Sequence, residues 1–264
     1  MNQKKQLLMN TIIIAVGKLS TQVISFLLLP LYTSKLTPGE YGTYDFLVTL
    51  STFLVPIITL LMEESMFRFL IDAEDFKAKK RIITATIAYT FVGTVIFSIL
   101  AGIIMSIIHY EYTWVFILFV ISNILIGLSN ALARGMGKIK LYSFSNFILG
   151  ASTIVLNILF IVTFKLGVNG LLWSNTIANT VTAIIVLMML HLPQFISRKD
   201  LNKKTLTEMV RYSAPLVPNN LSWIVITLSD RLMLTWMAGS DANGIYSIAN
   251  KFPNIVYTCY GFFS

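Results

Sequence analysis

The stretch IITATIAYTFVGTVIFSILAGIIMSII (82–108) holds no Asp, Glu, Lys or Arg. A helix rises about 1.5 Å per residue and the hydrocarbon core of a bilayer is about 30 Å thick, so about 20 apolar residues cross it. A helix of a soluble domain keeps one polar face toward water, and this run has none to offer. It is a transmembrane helix. Its flanks differ, with KAKKR (77–81) before it and HYEYT (109–113) after it. Working outward, similar runs occupy approximately 11–33, 41–62, 114–133, 142–164, 170–192 and 213–237, and an eighth begins near 244 and is cut off at Ser264. Composition agrees: 56% of the 264 residues are hydrophobic and 12% charged, with a mean hydropathy of +0.75, against about 25% charge in a soluble domain. The expected fold class is all-α, a polytopic transmembrane helix bundle.

Basic residues orient such a bundle, because Lys and Arg accumulate on the cytoplasmic side. With the N-terminus inside, Lys4, Lys5, Arg68, Lys77, Lys79, Lys80, Arg81, Arg134, Lys138, Lys140, Arg198, Lys199, Lys203, Lys204 and Arg211 all fall inside. Only Lys35 and Lys165 fall outside. A cytoplasmic membrane and a cytoplasmic N-terminus are therefore expected. The net charge of +8 reads as this bias, not as a nucleic-acid face, which requires a basic surface on a soluble module. The N-terminal MNQKKQLLMN has the charge of a signal peptide, but Thr11–Tyr32 is too long and lacks a small-residue cleavage site, so it reads as a retained span. The single cysteine, Cys259, forms no intrachain disulfide, and with no CxxC or Cys/His cluster neither a metal nor a cofactor is expected. His109 and His191 stand at span ends, as interfacial imidazoles do.

Two longer connections, 63–81 and 193–212, mix charges with isolated apolar residues. They read either as short interfacial helices or as solvated tethers carrying the positive-inside anchors. An internal repeat also emerges: a shift of 202 lays LTPGEYGTY (36–44) on AGSDANGIY (238–246), so Gly42 meets Gly244 and Tyr44 meets Tyr246. Six spans separate the copies, so they share orientation. That is a parallel repeat with a pseudo-two-fold along the membrane normal, one way transporters arise by duplication.

Charges inside spans are the residues most informative about function, since each costs about 2.5–3.5 kcal/mol to insert. They are Lys18, Asp45, Asp230, Arg231 and Lys251. Lys18 lies about 10 Å deep, where it lines a cavity or snorkels back to the surface. Arg231 and Lys251 flank one outside turn at similar depth and repel each other unless an anion answers them. Asp230 is the local partner for a structural network, although adjacent helical residues point about 100° apart; a binding site for an anionic substrate is the sharper reading. Asp45, near the start of its span, is interfacial or serves in coupling. Recurrent asparagines, Asn123, Asn179, Asn219 and Asn220 among them, suit hydrogen bonds between helices. Pro30, Pro56, Pro215 and Pro218 are candidate hinges, the alternative being static kinks.

LTPGEYGTYD (36–45), MFRFLIDAEDFKAKKRIITATI (66–87), ARGMGKIKLYSFSN (133–146) and above all SDRLMLTWMAGSDANGIYSIANKF (229–252) resemble bacterial polysaccharide repeat-unit flippases. These belong to the multidrug/oligosaccharidyl-lipid/polysaccharide exporter superfamily. The resemblance implies two six-helix lobes around a cation-lined cavity, carrying an undecaprenyl-pyrophosphate-linked glycan between leaflets by alternating access, for capsule, O-antigen or similar export. The activity implied is non-enzymatic, without catalytic residues. The matched positions are Arg68, Arg134, Asp230, Arg231 and Lys251, with Lys18 added from its depth alone. Expected partners are the lipid-linked anionic glycan and membrane lipids, with polysaccharide polymerase and other assembly proteins beside them. Because such carriers have twelve or more spans, the chain is expected to be truncated: a six-helix lobe at 1–192, a cytoplasmic linker at 193–212, and an incomplete second lobe at 213–264. Rival readings are a drug or small-cation exporter of the same superfamily, which needs acidic cavity residues, and an assembly subunit. A membrane-embedded enzyme needs clustered Asp, Glu or His at a membrane surface, for which the short outside turns leave little room.

Overall fold

The computed structural model describes residues 28–260, and every regular element among them is helical. In order these are α1 (Leu29–Lys35), α2 (Pro38–Thr59), α3 (Met62–Asp72), α4 (Phe76–Ile107), α5 (Thr113–Gly135), α6 (Ile139–Asn157), α7 (Gly167–Met189), α8 (Lys203–Ser213) and α9 (Leu216–Tyr260). A π-helical stretch, Ile158–Thr163, extends α6. Five helices, α2, α4, α5, α6 with its π extension, and α7, are long and apolar enough to cross a membrane. On α4, Phe91, Ile96, Ile99, Ile103 and Ile107 are all more than half exposed. An apolar face of that length is stable in hydrocarbon and not in water. The protein is a multi-pass membrane protein.

Two expected boundaries move. Most of the first expected span, Lys18 included, lies outside the described residues. α4 starts at Phe76, six residues before the apolar run, so KAKKR is its first helical turns and not a loop. The expected span 213–237 starts three residues later, because α8 ends at Ser213 and α9 starts at Leu216, and it runs as one helix up to Gly239. Pro218 falls in the first turn of α9, where a missing N–H forfeits no helical bond. Pro215 and Pro218 thus begin a helix, as Pro30 does in α1, whereas Pro56 lies inside α2. The real interruption of α9 is at Gly239, whose φ of 88° and ψ of 170° suit only glycine.

The chain divides into two compact units. One gathers Thr49–Lys138 and Asn179–Thr227. Within it, both longer connections contain an 11-residue helix, α3 and α8, and these pack on each other. Ser65 Oγ donates to the Met209 carbonyl at 3.1 Å, Ser213 Oγ lies 3.8 Å from Met62 Sδ, and Phe69 meets Tyr212 edge-on at 6.0 Å. Met62, Met66, Leu70 and Met209 are at most 2% exposed; burying each contributes about 1.5–3 kcal/mol. Spacing of four along 62, 66 and 70 is the stripe that makes α3 a packed helix and not a tether. Amides tie the longer helices together: Asn179 Nδ2 donates to Ser122 Oγ at 3.2 Å and to Asn123 Oδ1 at 3.1 Å, and Asn123 Nδ2 donates to Ser51 Oγ at 3.2 Å. Interhelical bonds of this kind are worth about 0.6–1.7 kcal/mol each. Asn179→Ala, which removes two of them, is expected to lower stability by about 1–3 kcal/mol in a detergent thermal melt; an unchanged melt would show the network idle.

The other unit gathers Met1–Val48, Ile139–Ala178 and Leu228–Ser264. Leu28, Tyr32, Leu36, Tyr41, Ile161 and Leu171 form its described core. Two tyrosines there satisfy their hydroxyls on asparagines, with Asn157 Nδ2 donating to Tyr32 Oη at 3.0 Å and Asn175 Nδ2 donating to Tyr44 Oη at 3.1 Å. Asn157 is fully buried at the point where α6 turns π-helical.

Candidate functional site

The two repeat copies touch each other. A Cβ at Gly42 would strike the carbonyl oxygen of Ser240, and a Cβ at Gly244 would strike that of Pro38. Pro38 and Ser240 are themselves counterparts under the shift of 202. Each glycine therefore lies against the equivalent of the other's neighbour, which is the reciprocity of a two-fold contact. Only residues without a side chain let two helical backbones approach this closely. Asn243 Nδ2 closes the contact by donating to the Gly42 carbonyl at 2.8 Å.

Immediately beside this contact lies the in-span charge. Asp45 is 8% exposed. Its Oδ2 accepts from Arg231 Nε at 2.5 Å and from Ser247 Oγ at 2.5 Å, and Ser247 is the counterpart of Asp45 in the repeat. Lys251 lies within electrostatic reach of both Asp45 and Arg231. Asp230 is not the partner of Arg231. Its exposed carboxylate instead accepts from Tyr246 Oη at 3.1 Å, as the angular offset between neighbouring helical residues requires. Sequence reading tied Arg231 to its neighbours in the chain because Asp45 lies 186 residues away. The repeat carried the missing signal, since it aligns Asp45 with a residue two turns beyond Arg231's hairpin.

The other expected site residues lie elsewhere. Arg68 pairs with Asp72 one turn along exposed α3. Arg134, in the last turn of α5, places Nη2 3.4 Å from Glu64 Oε1 and its guanidinium 4.7 Å from the Phe67 ring centre.

A cavity of about 730 Å³ with a mixed polar and apolar lining opens within the unit built from Thr49–Lys138 and Asn179–Thr227. α2 contributes Ser51 and Pro56, α3 contributes Glu63 and Glu64, α5 contributes Asn123, and the first turns of α9 contribute Asn219, Asn220 and Trp223. Among the described residues no Lys or Arg lines it, although Arg134 pairs with Glu64 beside it. Its charge comes from α3, which the left-handed residues Leu60 and Leu61, with φ of 47° and 52°, set off from α2. Glu63 and Glu64 then occupy the first turn, where helix amides favour anions. Glu63 Oε2 is buried and finds no hydrogen-bond partner. Burial pushes this carboxyl above the ordinary carboxylate range, against hydrogen bonds from its own N–H and from Thr59, and the charge of Glu64 adds to the rise. Sequence reading passed over both acids as part of a charged connection. A second cavity of about 440 Å³, between α4 and α5, is lined by Ile87, Phe91, Ile99, Ile124 and Leu128 and is apolar.

The family model described as "Polysaccharide biosynthesis protein" matches residues 7–263. No curated protein matches the sequence. Among solved structures, an inward-facing multidrug resistance MATE family transporter of the MOP superfamily has 15% identity and a TM-score of 0.73, over 94% of this chain and 63% of that one. A MATE in complex with Br-NRF has 17% identity and a TM-score of 0.73, over 99% and 66%. A MATE in complex with MaD3S has 16% identity and a TM-score of 0.71, over 96% and 62%. At these identities the likeness is one of fold. The chain spans 62–66% of the length of these structures.

Proposed function

Because this chain belongs to the polysaccharide biosynthesis protein family, and folds as MATE transporters do, we propose that it carries lipid-linked oligosaccharide units across the bacterial cytoplasmic membrane, inner leaflet to outer. It does so without chemistry of its own, with its N-terminus in the cytoplasm, to supply capsule, O-antigen or a similar polymer. Polymerase and other assembly proteins then receive the cargo.

The observation that carries this reading is the cavity of about 730 Å³ that sets amides, hydroxyls and carboxyls among apolar residues inside a membrane helix bundle. A glycan is a string of hydroxyls, and only walls of amides, hydroxyls and carboxyls replace the water it loses. Its pyrophosphate needs cations. Arg231 and Lys251 share one resident carboxylate, Asp45, and a diphosphate offers Arg231 paired oxygens that a single aspartate oxygen does not. Lys18, Arg68 and Arg134 are proposed to attract the same group earlier in its path. Pro56, beside the cavity, and the α8–α9 break at Pro215 and Pro218 are the proposed hinges.

The test is reconstitution into vesicles holding a fluorescent polyprenyl-pyrophosphate disaccharide, with leaflet-specific quenching. Wild type should move it, and Lys251→Ala should slow movement about tenfold, equivalent to one charge-assisted hydrogen bond. Movement of tetraphenylphosphonium with no movement of the glycolipid would reject the proposal. That outcome belongs to a second reading, a cationic-drug exporter, which Glu63, Glu64 and Trp223 favour, since acids beside an aromatic ring attract organic cations.

A further inference from the structure

We infer that the Glu63/Glu64 cavity holds the sugar portion of the cargo and selects glycans that are uncharged or carry amino groups, against those bearing carboxylates. This rests on the flippase reading above and adds to it the charge class of the sugar. Beside its apolar residues the wall has three kinds of group that a pyranose can use. Asn219 and Asn220 each present both a donor and an acceptor, matching hydroxyls that are both. Trp223 lines the cavity and keeps 74% of its surface exposed, a flat apolar platform for the C–H face of a sugar ring. Glu63 and Glu64 accept from hydroxyls or ammonium groups, and Glu63 Oε2 is a buried acceptor still lacking a donor.

The same wall repels an acidic sugar. A uronic acid placed within hydrogen-bond distance of Glu64 sets two carboxylates against each other, and Arg134, the cation beside them, is already paired with Glu64. Nor does an organic cation account for the whole wall. Acids and a tryptophan would serve it, but the amides of Asn219 and Asn220 would find no partner in a ligand without hydroxyls.

The experiment uses the reconstituted protein and two glycolipids with one polyprenyl pyrophosphate: a neutral hexose disaccharide, and the same disaccharide ending in glucuronic acid. Wild type should move the neutral cargo at least about tenfold faster, and Glu64→Gln should narrow the ratio to about threefold or less. Trp223→Ala should slow the neutral cargo about tenfold, the scale of one aromatic stacking contact. Glu64→Gln deprives Arg134 of its partner; should it fail to fold, Asn220→Asp is the second variant and should widen the ratio. Equal rates for both cargoes, or a ratio untouched by both substitutions, overturn the inference while the flippase reading stands. Movement of neither cargo overturns both. Tetraphenylphosphonium competing with the neutral cargo at equal potency in wild type, and losing that potency in Glu64→Gln, assigns the cavity to cations and also overturns it.

Discussion

Alanine at Gly244 is expected to destabilise the protein by about 3 kcal/mol or more, and alanine at Gly42 by a similar amount, although each substitution adds a single methyl group. Overpacking ordinarily costs about 1–3 kcal/mol because neighbouring side chains shift aside. Here the obstructing atoms are the backbone carbonyls of Pro38 and Ser240, which no rotamer change moves. The two helical segments must separate, and Asn243 then loses its bond to Gly42. Intrinsic propensity pulls the other way, since alanine favours a helix over glycine by about 1 kcal/mol. The controls use that opposition. Gly102 in α4 and Gly127 in α5 have nothing within 4 Å of an added Cβ, so alanine there should leave stability unchanged or raise it slightly. Thermal unfolding in detergent should drop by about 6–12 °C for Gly42→Ala and Gly244→Ala, and not for the two controls. Equal behaviour of all four would show that the repeat copies do not meet.

The repeat was legible because duplication leaves its mark at fixed spacing, and the bundle was legible because hydrocarbon forces long apolar runs. Burial of polar groups left no comparable mark. Glu63 and Glu64 look like any acidic pair in a charged connection, and only the turn at Leu60 and Leu61 brings them to a cavity. α3 and α8 were ambiguous for a related reason: eleven residues fall short of a span, and a stripe at 62, 66 and 70 becomes decisive only once α8 covers it. The prolines were ambiguous by position. Pro215 and Pro218 sit in an apolar run that looks continuous, and proline bends a helix from its interior but begins one from its first turn. Gly239 falls in the outside turn expected between 237 and 244, and that is where α9 breaks.

Asp45→Asn is expected to be the most damaging isosteric change in the in-span charge cluster. It preserves size and an acceptor for Ser247, yet leaves Arg231, whose side chain is 11% exposed, charged and unanswered by its carboxylate. Breaking a buried pair from one side costs about 3–5 kcal/mol, far above the about 0.2–1 kcal/mol of exposed pairs. The exposed Arg68–Asp72 bridge supplies the contrast, and Asp72→Asn should be near neutral. Lys251 sharpens the effect, because without Asp45 two cations face each other. The decisive measurement is the double variant Asp45→Asn with Arg231→Met. Removing both charges leaves no uncompensated ion, so stability should return to within about 1–2 kcal/mol of wild type. If the pair served stability alone, transport would recover with it. If Arg231 also meets the pyrophosphate, the double variant will fold and still fail to move the glycolipid, and that separation of folding from transport distinguishes a cargo-binding arginine from a structural one.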